Sequence, residues 1–122
     1  MNESTAKRVH ALWLFDVNDF DRAEEYFRFA IEKMPAVGGR PIAMGRFQMS
    51  ERGDIAPRQF YVLAEWDSIE VFQTFAENAA LAEAHSDRED ATSGTIRHLF
   101  DGVDLTDPAF RFGDDILPLL KP

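Results

Sequence analysis

Two periods of apolar residues run through the chain and predict six elements of secondary structure. Stretches rich in β-branched and aromatic residues predict strands, and apolar residues spaced three or four apart predict helices. In chain order the predicted elements are strand 9–15, a helix from 19 to 34, strand 41–49, strand 59–66, a helix from 69 to 79 that continues over 81–85, and strand 94–101. Polar residues 50–57 predict a hairpin loop between the second and third strands.

Polar residues mark where both helices begin. Asn18 or Asp19 is placed to cap the first helix. Asp67 with Glu70 resembles a capping box for the second helix, and Ser68 is the competing cap.

The first predicted strand is apolar on both of its faces. One face consists of Val9, Ala11, Trp13 and Phe15, and the other consists of His10, Leu12 and Leu14. A strand with one solvated face shows a cleaner alternation of apolar and polar residues. Both faces of this strand are therefore expected to be covered.

The β-α-β-β-α-β order predicts an α+β domain with the ferredoxin-like fold. Right-handed crossovers place both helices on one face of a four-stranded antiparallel sheet, with the first and third strands in its centre. The other face of the sheet is then left open, and a C2 homodimer would cover it with the same face of a second copy. The predicted protein partner is thus another copy of this chain.

Residues 1–105 predict a single domain, and residues 106–122 predict a C-terminal extension. The extension contains Ile116, Leu117, Leu119 and Leu120, which are too apolar for a free tail. It is therefore expected to pack on the domain or on its partner.

Charge and composition exclude several classes of function. The 122-residue chain has 22 acidic and 13 basic residues and a net charge of −9, which disfavours nucleic acids and anionic membranes as partners. The absence of cysteine excludes disulfides, thiolate metal sites and cysteine nucleophiles. Together with a polar N-terminus that lacks an apolar signal core, this composition predicts a cytoplasmic protein.

Several short motifs occur in the order and spacing of a known family. They are Gly38-Gly39-Arg40 before the second strand, Gly45 within it, Val62-Leu63-Ala64-Glu65-Trp66 leading into Asp67-Ser68, Phe72 to Phe75, Arg88, and Asp101-Gly102-Val103. Over residues 9–105 the chain resembles the dimeric α/β-barrel superfamily and, within it, the uncharacterised DUF1330 family. The family's aromatic-Ser-Pro-x-Tyr segment is replaced here by residues 77–81, so no role of that segment is carried over.

The resemblance implies a ferredoxin-like homodimer with a pocket. Members of the wider superfamily include cofactor-independent monooxygenases, isomerases, lyases and haem proteins. The resemblance therefore implies chemistry in a pocket without selecting the reaction.

Residues 85–94 are the part of the chain richest in titratable and hydroxyl groups. A loop of this composition can supply an acid, a base and an anion anchor together. If the second helix continues instead, His85 and Arg88 share one helix face at i, i+3. The alternative is a solvent-exposed helix end whose acidic residues are hydrated and have no functional role. His85 and Arg88 are two candidate catalytic residues.

His98 is the third candidate catalytic residue, because it lies between Ile96 and Phe100 on one face of a predicted strand. It could equally be a core histidine with one hydrogen bond. The fourth strand is predicted beside the first, which brings His10 near His98. Two histidines and a carboxylate could bind a divalent metal, but the spacing carries no metal motif and no metal is predicted.

Arg46, Tyr61 and Trp13 are the candidate substrate-binding residues. Arg46, like Arg97, lies within a predicted strand. A structural ion pair between Arg46 and Glu65 is favoured over a guanidinium that awaits a substrate carboxylate. An aromatic pocket could be lined by Tyr61, Trp13, Trp66 and Tyr26. In this fold such residues more often belong to the core or to a dimer interface.

Three functions remain open at this level. The first is an enzyme of isomerase, lyase or monooxygenase type that acts on a small apolar or aromatic acid between the sheet and the helices. No cofactor is predicted for it, because phosphate loops, dinucleotide fingerprints and zinc patterns are missing from the sequence. The second is a non-catalytic homodimer that binds a metabolite or has a regulatory role. The third is a protein that only dimerises, for which no closed pocket of about 300 Å3 or more is expected.

Overall fold

The computed structural model describes residues 8–53, 57–78 and 82–120, without the side chains at 82, 83 and 87. Its strands are β1 (Arg8–Val17), β2 (Gly39–Arg46), β3 (Phe60–Trp66) and β4 (Thr92–Gly102). Its helices are α1 (Phe20–Lys33), α2 (Ile69–Glu77) and α3 (Ala82–Ala91), and a 3-10 turn (Met34–Val37) follows α1. A π-helical turn (Phe112–Ile116) and a 3-10 turn (Leu117–Leu120) lie near the C-terminus.

The four strands form one sheet in the order β2-β3-β1-β4, and every neighbouring pair is antiparallel. β1 and β3 therefore occupy the centre of the sheet, as the split-βαβ order requires. The predicted ferredoxin-like α+β fold is confirmed. Among the described residues, no helix is both long enough and apolar enough to cross a membrane.

One face of the sheet packs against the helices and forms the core. The Trp13 ring of β1 stacks on Phe15 with ring centroids 3.9 Å apart and meets Tyr26 of α1 edge-on at 6.2 Å. Trp66 of β3 packs against Phe75 of α2 at 4.9 Å on the same face. Both α1 and α2 therefore cover the same side of the sheet.

The helix starts resolve two alternatives that the sequence left open. The Asp19 carboxylate accepts a hydrogen bond from a backbone N–H in the first turn of α1. The Ser68 hydroxyl does the same for α2. Asp67 instead accepts a hydrogen bond from the Arg40 guanidinium, so it ties α2 to β2 and does not act as the cap.

β2 begins two residues before the predicted strand 41–49 and ends three residues before it does. Its register against β3 shifts between Pro41 and Ala43, so Ile42 forms a bulge. Proline lacks a backbone N–H and is tolerated because β2 is an edge strand. The strand starts at Gly39, where the backbone lies against the buried ring of Trp66. Only glycine fits there, because a Cβ atom would lie 2.7 Å from that ring.

α3 continues the helical region much further than the predicted stretch 81–85. Leu81 lies outside the described residues, and the helix runs from Ala82 to Ala91. The apolar residues of this helix are all alanines, so its sequence has no clear apolar period that would indicate its length. Beyond its end, the Thr92 hydroxyl donates a hydrogen bond to the carbonyl oxygen of Arg88 at 2.8 Å.

The second face of the sheet, here called the open face, is not covered by any helix of the described chain. By strand register it carries Leu12, Leu14, Tyr61, Leu63, Ile96, His98 and Phe100. Phe100 is 51% exposed there. This is the face that the sequence predicts to pack against a second copy.

Candidate functional site

A partly open cavity of about 120 Å3 lies between the sheet and the helices. Its apolar walls come from Trp13 and Val62 of the sheet, Phe27 of α1, and Phe72 and Phe75 of α2. The polar groups at its surface are contributed by Tyr26, Arg88 and Arg97. An apolar cavity with a few polar groups at its edge is the usual form of a small-molecule site.

Arg97 is the most unusual of these polar residues. It lies opposite Trp13 in the β1–β4 register, and its guanidinium carbon is 5.4 Å from the centre of the Trp13 ring. It has no hydrogen bond or ion pair with the side chains that the structure describes. Burial lowers the pKa of Arg97, and the like charge of Arg88 lowers it further. Arginine nevertheless stays protonated in proteins, so Arg97 is a desolvated cation beside an apolar cavity.

Arg88 brings a second guanidinium to the same cavity from α3. Its guanidinium carbon lies 5.8 Å from the centre of the Tyr26 ring. Its Nη2 and Nε atoms donate to Glu89 Oε1 at 2.8 and 3.2 Å. The side chain of Arg88 is 14% exposed, whereas that of Glu89 is 63% exposed. The neighbouring carboxylate therefore engages Arg88 from the solvent side.

His85 packs behind the cavity wall. Its ring meets Phe75 edge-on at 5.4 Å, and its Nε2 lies 3.1 Å from the Phe75 carbonyl oxygen. A carbonyl oxygen only accepts, so Nε2 carries the proton of this hydrogen bond. In the neutral ring Nδ1 is then an unprotonated acceptor, and it is buried without a partner among the described residues. Burial lowers the pKa of His85, with Arg88 and Arg97 adding to the effect.

His85 is expected to make the protein less stable as the pH falls below about 6.5. Because its pKa is lowered by folding, the unfolded chain takes up a proton in this range that the folded chain does not take up. Replacing His85 with Gln should remove up to about one proton from the pH dependence of the free energy of unfolding. Urea unfolding between pH 5 and 7.5 measures this dependence.

The matched control for this experiment is Gln73→Asn on the exposed side of α2, which alters an amide side chain without removing a titratable group. Its stability should show the same pH dependence as that of the unaltered protein. If His85→Gln and the unaltered protein lose stability in parallel, His85 is not held neutral by its surroundings.

The structure brings together three of the six predicted site residues. Trp13 and Arg88 line the cavity, and His85 contacts Phe75 in the cavity wall. The predicted pairing of His85 and Arg88 on one helix face therefore agrees with α3.

The other three predicted residues lie elsewhere. His98 lies opposite Leu12 on the open face, on the far side of the sheet from the cavity. Tyr61 is also on the open face, and it lines a separate cleft with Arg46 at one end of the sheet. His98, Tyr61 and Arg46 are therefore not brought together with His85 and Arg88.

The predicted ion pair between Glu65 and Arg46 is wrong. The Glu65 carboxylate is bonded instead by Arg8 and His10 at 3.1 Å and by Arg40 at 3.0 Å. Register explains the difference, because Arg40 lies directly opposite Glu65 whereas Arg46 lies opposite the far end of β3. Within the described ranges, no group of three or more histidine and acidic side chains is placed to hold a metal ion.

Two cavity residues, Tyr26 and Arg97, were not among the predicted site residues. The sequence indicates Tyr26 only as one of four aromatic residues that could line a pocket, and Arg97 only as an arginine within a predicted strand. Alternate side chains of β4 point to opposite faces of the sheet. Arg97 shares the helix-covered face with Trp13, whereas His98 does not. The sequence alone does not show which of these two residues faces the helices, because that depends on the register of β4 with β1.

Comparisons with known proteins agree with this fold. The chain matches, over residues 9–102, the model of a family described as a domain of unknown function, DUF1330. No curated protein matches the sequence.

Solved structures show the same architecture. A protein of unknown function from Rhodopseudomonas palustris has 16% identity and a TM-score of 0.70, over 84% of this chain and 87% of that one. SnoaB, a cofactor-independent oxygenase from Streptomyces nogalater, has 12% identity and a TM-score of 0.61, over 84% and 99%. A dimeric ferredoxin-like protein of unknown function from Thermobifida fusca has 20% identity and a TM-score of 0.54, over 82% and 96%. At these identities the likeness shows the fold alone.

Proposed function

The chain belongs to the DUF1330 family, and from that premise we propose that it binds a small apolar or aromatic carboxylic acid in the cavity between its sheet and helices. One observation carries the proposal. Arg97 presents a half-buried guanidinium to the cavity without a carboxylate partner among the described side chains. A buried cation without a counter-ion is costly for folding, and an anionic ligand offsets that cost.

The cavity limits the size of the ligand. Its volume of about 120 Å3 is below the roughly 300 Å3 at which ordinary ligand pockets begin. An apolar cavity of about 150 Å3 accommodates benzene. The cavity is slightly smaller than this but partly open, so a single ring or a short branched chain can occupy it with the carboxylate directed to Arg97 and Arg88.

The catalytic form of this proposal uses His85 as a proton acceptor. Its Nδ1 atom has a free lone pair close to the two arginines, and its lowered pKa keeps that lone pair available at neutral pH. A carboxylate held by Arg97 and Arg88 would place the substrate in the cavity, with His85 behind the cavity wall at Phe75. Proton transfer without a cofactor is the step common to the isomerase and lyase reactions implied by the resemblance. An oxygenase reaction of a cofactor-independent kind, such as the one named for SnoaB, also remains within the proposal.

A second candidate is a non-catalytic homodimer that binds a metabolite or has a regulatory role. It is favoured by the position of His85, which contacts the cavity wall at Phe75 but does not line the cavity. The other titratable groups described around the cavity are one tyrosine and two arginines, which suit binding better than proton transfer. Turnover that is lost in His85→Gln while ligand binding persists would identify the catalytic form.

The proposal includes a homodimer formed through the open face. The apolar side chains of that face support it, as does the dimeric state of the Thermobifida fusca protein with the same fold. Location in the cytoplasm remains a prediction from composition.

Benzoate is the simplest probe of the proposed site. At a concentration 100 times its dissociation constant, it should raise the free energy of unfolding by about 2.7 kcal/mol. Benzamide has nearly the same shape and no charge, and it should stabilise the protein much less. Thermal unfolding with each compound measures the difference, and native mass spectrometry of freshly purified protein would show any acid already bound.

The two compounds separate the possible outcomes. Equal stabilisation by benzoate and benzamide would contradict the proposal that the two arginines bind the carboxylate of the ligand. No stabilisation by either compound, with no acid found by native mass spectrometry, would favour a protein that only dimerises.

A further inference from the structure

Residues 103–120, here called the C-terminal arm, expose apolar side chains that the domain does not cover. Phe112 is 59% exposed and Leu120 is 71% exposed. Leu105, Leu117 and Leu119 are exposed as well. An apolar group of this size on a soluble protein indicates a surface that packs against something else. The described chain therefore favours the partner over its own domain as the place where the predicted C-terminal extension packs.

The arm has a defined local shape. The backbone N–H of Arg111 donates to the Asp115 carboxylate at 2.8 Å, and the Arg111 guanidinium donates to the Phe110 carbonyl oxygen at 2.7 Å. Asp104 accepts hydrogen bonds from both the backbone and the hydroxyl of Thr106. Such short hydrogen-bonded turns are marginal in water unless their apolar side chains are packed.

The arm starts at the rim of the open face. β4 is an edge strand, and the arm follows directly from its last residue, Gly102. Asp104 Oδ2 lies 4.0 Å from Arg8 Nη1, and Arg8 in turn bonds Glu65 on the open face. A second copy seated on that face would therefore lie next to the start of the arm.

A cleft of about 330 Å3 lies at the opposite end of the open face. Its walls include the apolar residues Leu14 and Phe47, the ring of Tyr61 and the cations Arg46 and Arg58. No acidic side chain is among the residues described around it. The exposed Arg46 has no hydrogen bond or ion pair with the side chains that the structure describes.

The arm complements both the apolar walls and the positive charge of this cleft. It offers the apolar side chains of Phe112 and Leu117, with the exposed acid Asp114 between them. With its two helical turns kept, residues 103–111 would span about 30 Å when extended. The eight residues of β2 span only about 27 Å. The arm is therefore long enough to reach the cleft of a second copy.

We propose that the C-terminal arm packs on the partner subunit, with the segment around Asp114 seated in the cleft formed by Arg46 and Tyr61 of the partner subunit. The inference rests on the proposed homodimer and extends it. It assigns Arg46 and Tyr61 to subunit assembly, a different role from the substrate binding predicted from the sequence. The open face and the arm then form one continuous interface.

Cross-linking of the full chain tests where the arm lies. The sequence has no cysteine, so Phe112→Cys provides a unique attachment point for a benzophenone maleimide. Irradiation of a mixture of 15N-labelled and unlabelled chains should give cross-links between chains, and these should map to the region of residues 46–61. The same label on Gln73→Cys, on the exposed side of α2, should give no such product.

Charge reversal tests the proposed contact itself. Arg46→Glu and Asp114→Arg should each raise the dimer dissociation constant by about fivefold or more, because each contact occurs twice in the dimer. Combining the two reversals should restore the constant to within about twofold. Arg52→Glu makes the same charge change outside the cleft and should have no effect.

Light scattering separates failure of this inference from failure of the homodimer. A mass near 13.9 kDa at micromolar concentration would overturn both. A dimer whose cross-links stay within one chain, or in which the two reversals do not compensate each other, would overturn the arm inference alone.

Discussion

Replacing Arg97 with Met is expected to raise the free energy of unfolding of the empty protein and to weaken its binding of benzoate strongly. Met has a similar length and an apolar side chain, so it fills the same space beside Trp13 without a charge. The change removes a desolvated cation and its repulsion with Arg88. Replacing buried ion pairs with apolar side chains of similar volume is often neutral or stabilises proteins by about 1–4 kcal/mol.

The loss of binding follows from the same change. Without Arg97, the carboxylate of the ligand would meet only Arg88, which is already engaged by Glu89. Removing one partner of a buried charge pair costs about 2–5 kcal/mol, so the affinity should fall roughly 30-fold or more. Urea unfolding without ligand and calorimetry with benzoate measure the two effects separately.

Two further variants make the result specific. Arg28→Met removes an exposed guanidinium from α1 and should change neither quantity by a comparable amount. Arg97→Lys keeps the charge and should retain part of the binding. If Arg97→Met instead lowers the free energy of unfolding, Arg97 is a structural residue of the sheet and the proposed ligand site loses its main support.

The fold was largely predictable because local patterns and chain order agree. The apolar periods of β1 and α1, the acid at the start of α1 and the antiparallel order all point to one topology. The misplaced boundaries have separate physical causes. β2 starts early because Gly39 lets the backbone lie against the ring of Trp66, and α3 is longer than predicted because its only apolar residues are alanines, which leave no clear apolar period.

Only half of the site was predictable, because the sequence does not show which face of the sheet each strand residue points to. Trp13 and Arg97 point toward the helices, whereas His98 and Tyr61 point away from them. In a sheet with two apolar faces, sequence alternation divides the residues into two sets but does not say which set the helices cover. Only the packing of α1 and α2 against Trp13 and Trp66 decides this.

Glu65 shows the same limitation for an ion pair. The sequence predicts a cationic partner for this strand carboxylate, which is confirmed, but it predicts Arg46 as that partner, which is wrong. The bulge in β2 and the register of the hairpin bring Arg40 to Glu65 instead. β1 adds Arg8 and His10 from its other side, which no local pattern could indicate.

Replacing Glu65 with Gln is expected to lower the free energy of unfolding more than most single changes in this chain. Glu65 is 6% exposed, and it is the common acceptor for Arg8, His10 and Arg40. Gln keeps the shape but leaves Arg8 and Arg40 without their shared negative charge. Breaking a fully buried pair costs about 3–5 kcal/mol, and the partial exposure of both arginines reduces the expected loss to about 2–3 kcal/mol.

The pH dependence identifies this mechanism. Burial tends to raise the pKa of Glu65, but the hydrogen bonds from His10 and Arg40 and the charges of Arg8 and Arg40 outweigh burial, so its pKa is lowered in the folded state. The unfolded chain therefore binds a proton first as the pH falls below about 4.5, and the stability that Glu65 provides is lost as the pH falls through its folded pKa.

Glu65→Gln should lack this acid-sensitive component, whereas Glu70→Gln on the exposed start of α2 should keep it and change the stability by less than about 0.5 kcal/mol. Urea unfolding at one fixed protein concentration, between pH 3 and 7, measures both. Equal losses in the two variants would mean that solvent, and not Glu65, balances the charges of Arg8 and Arg40.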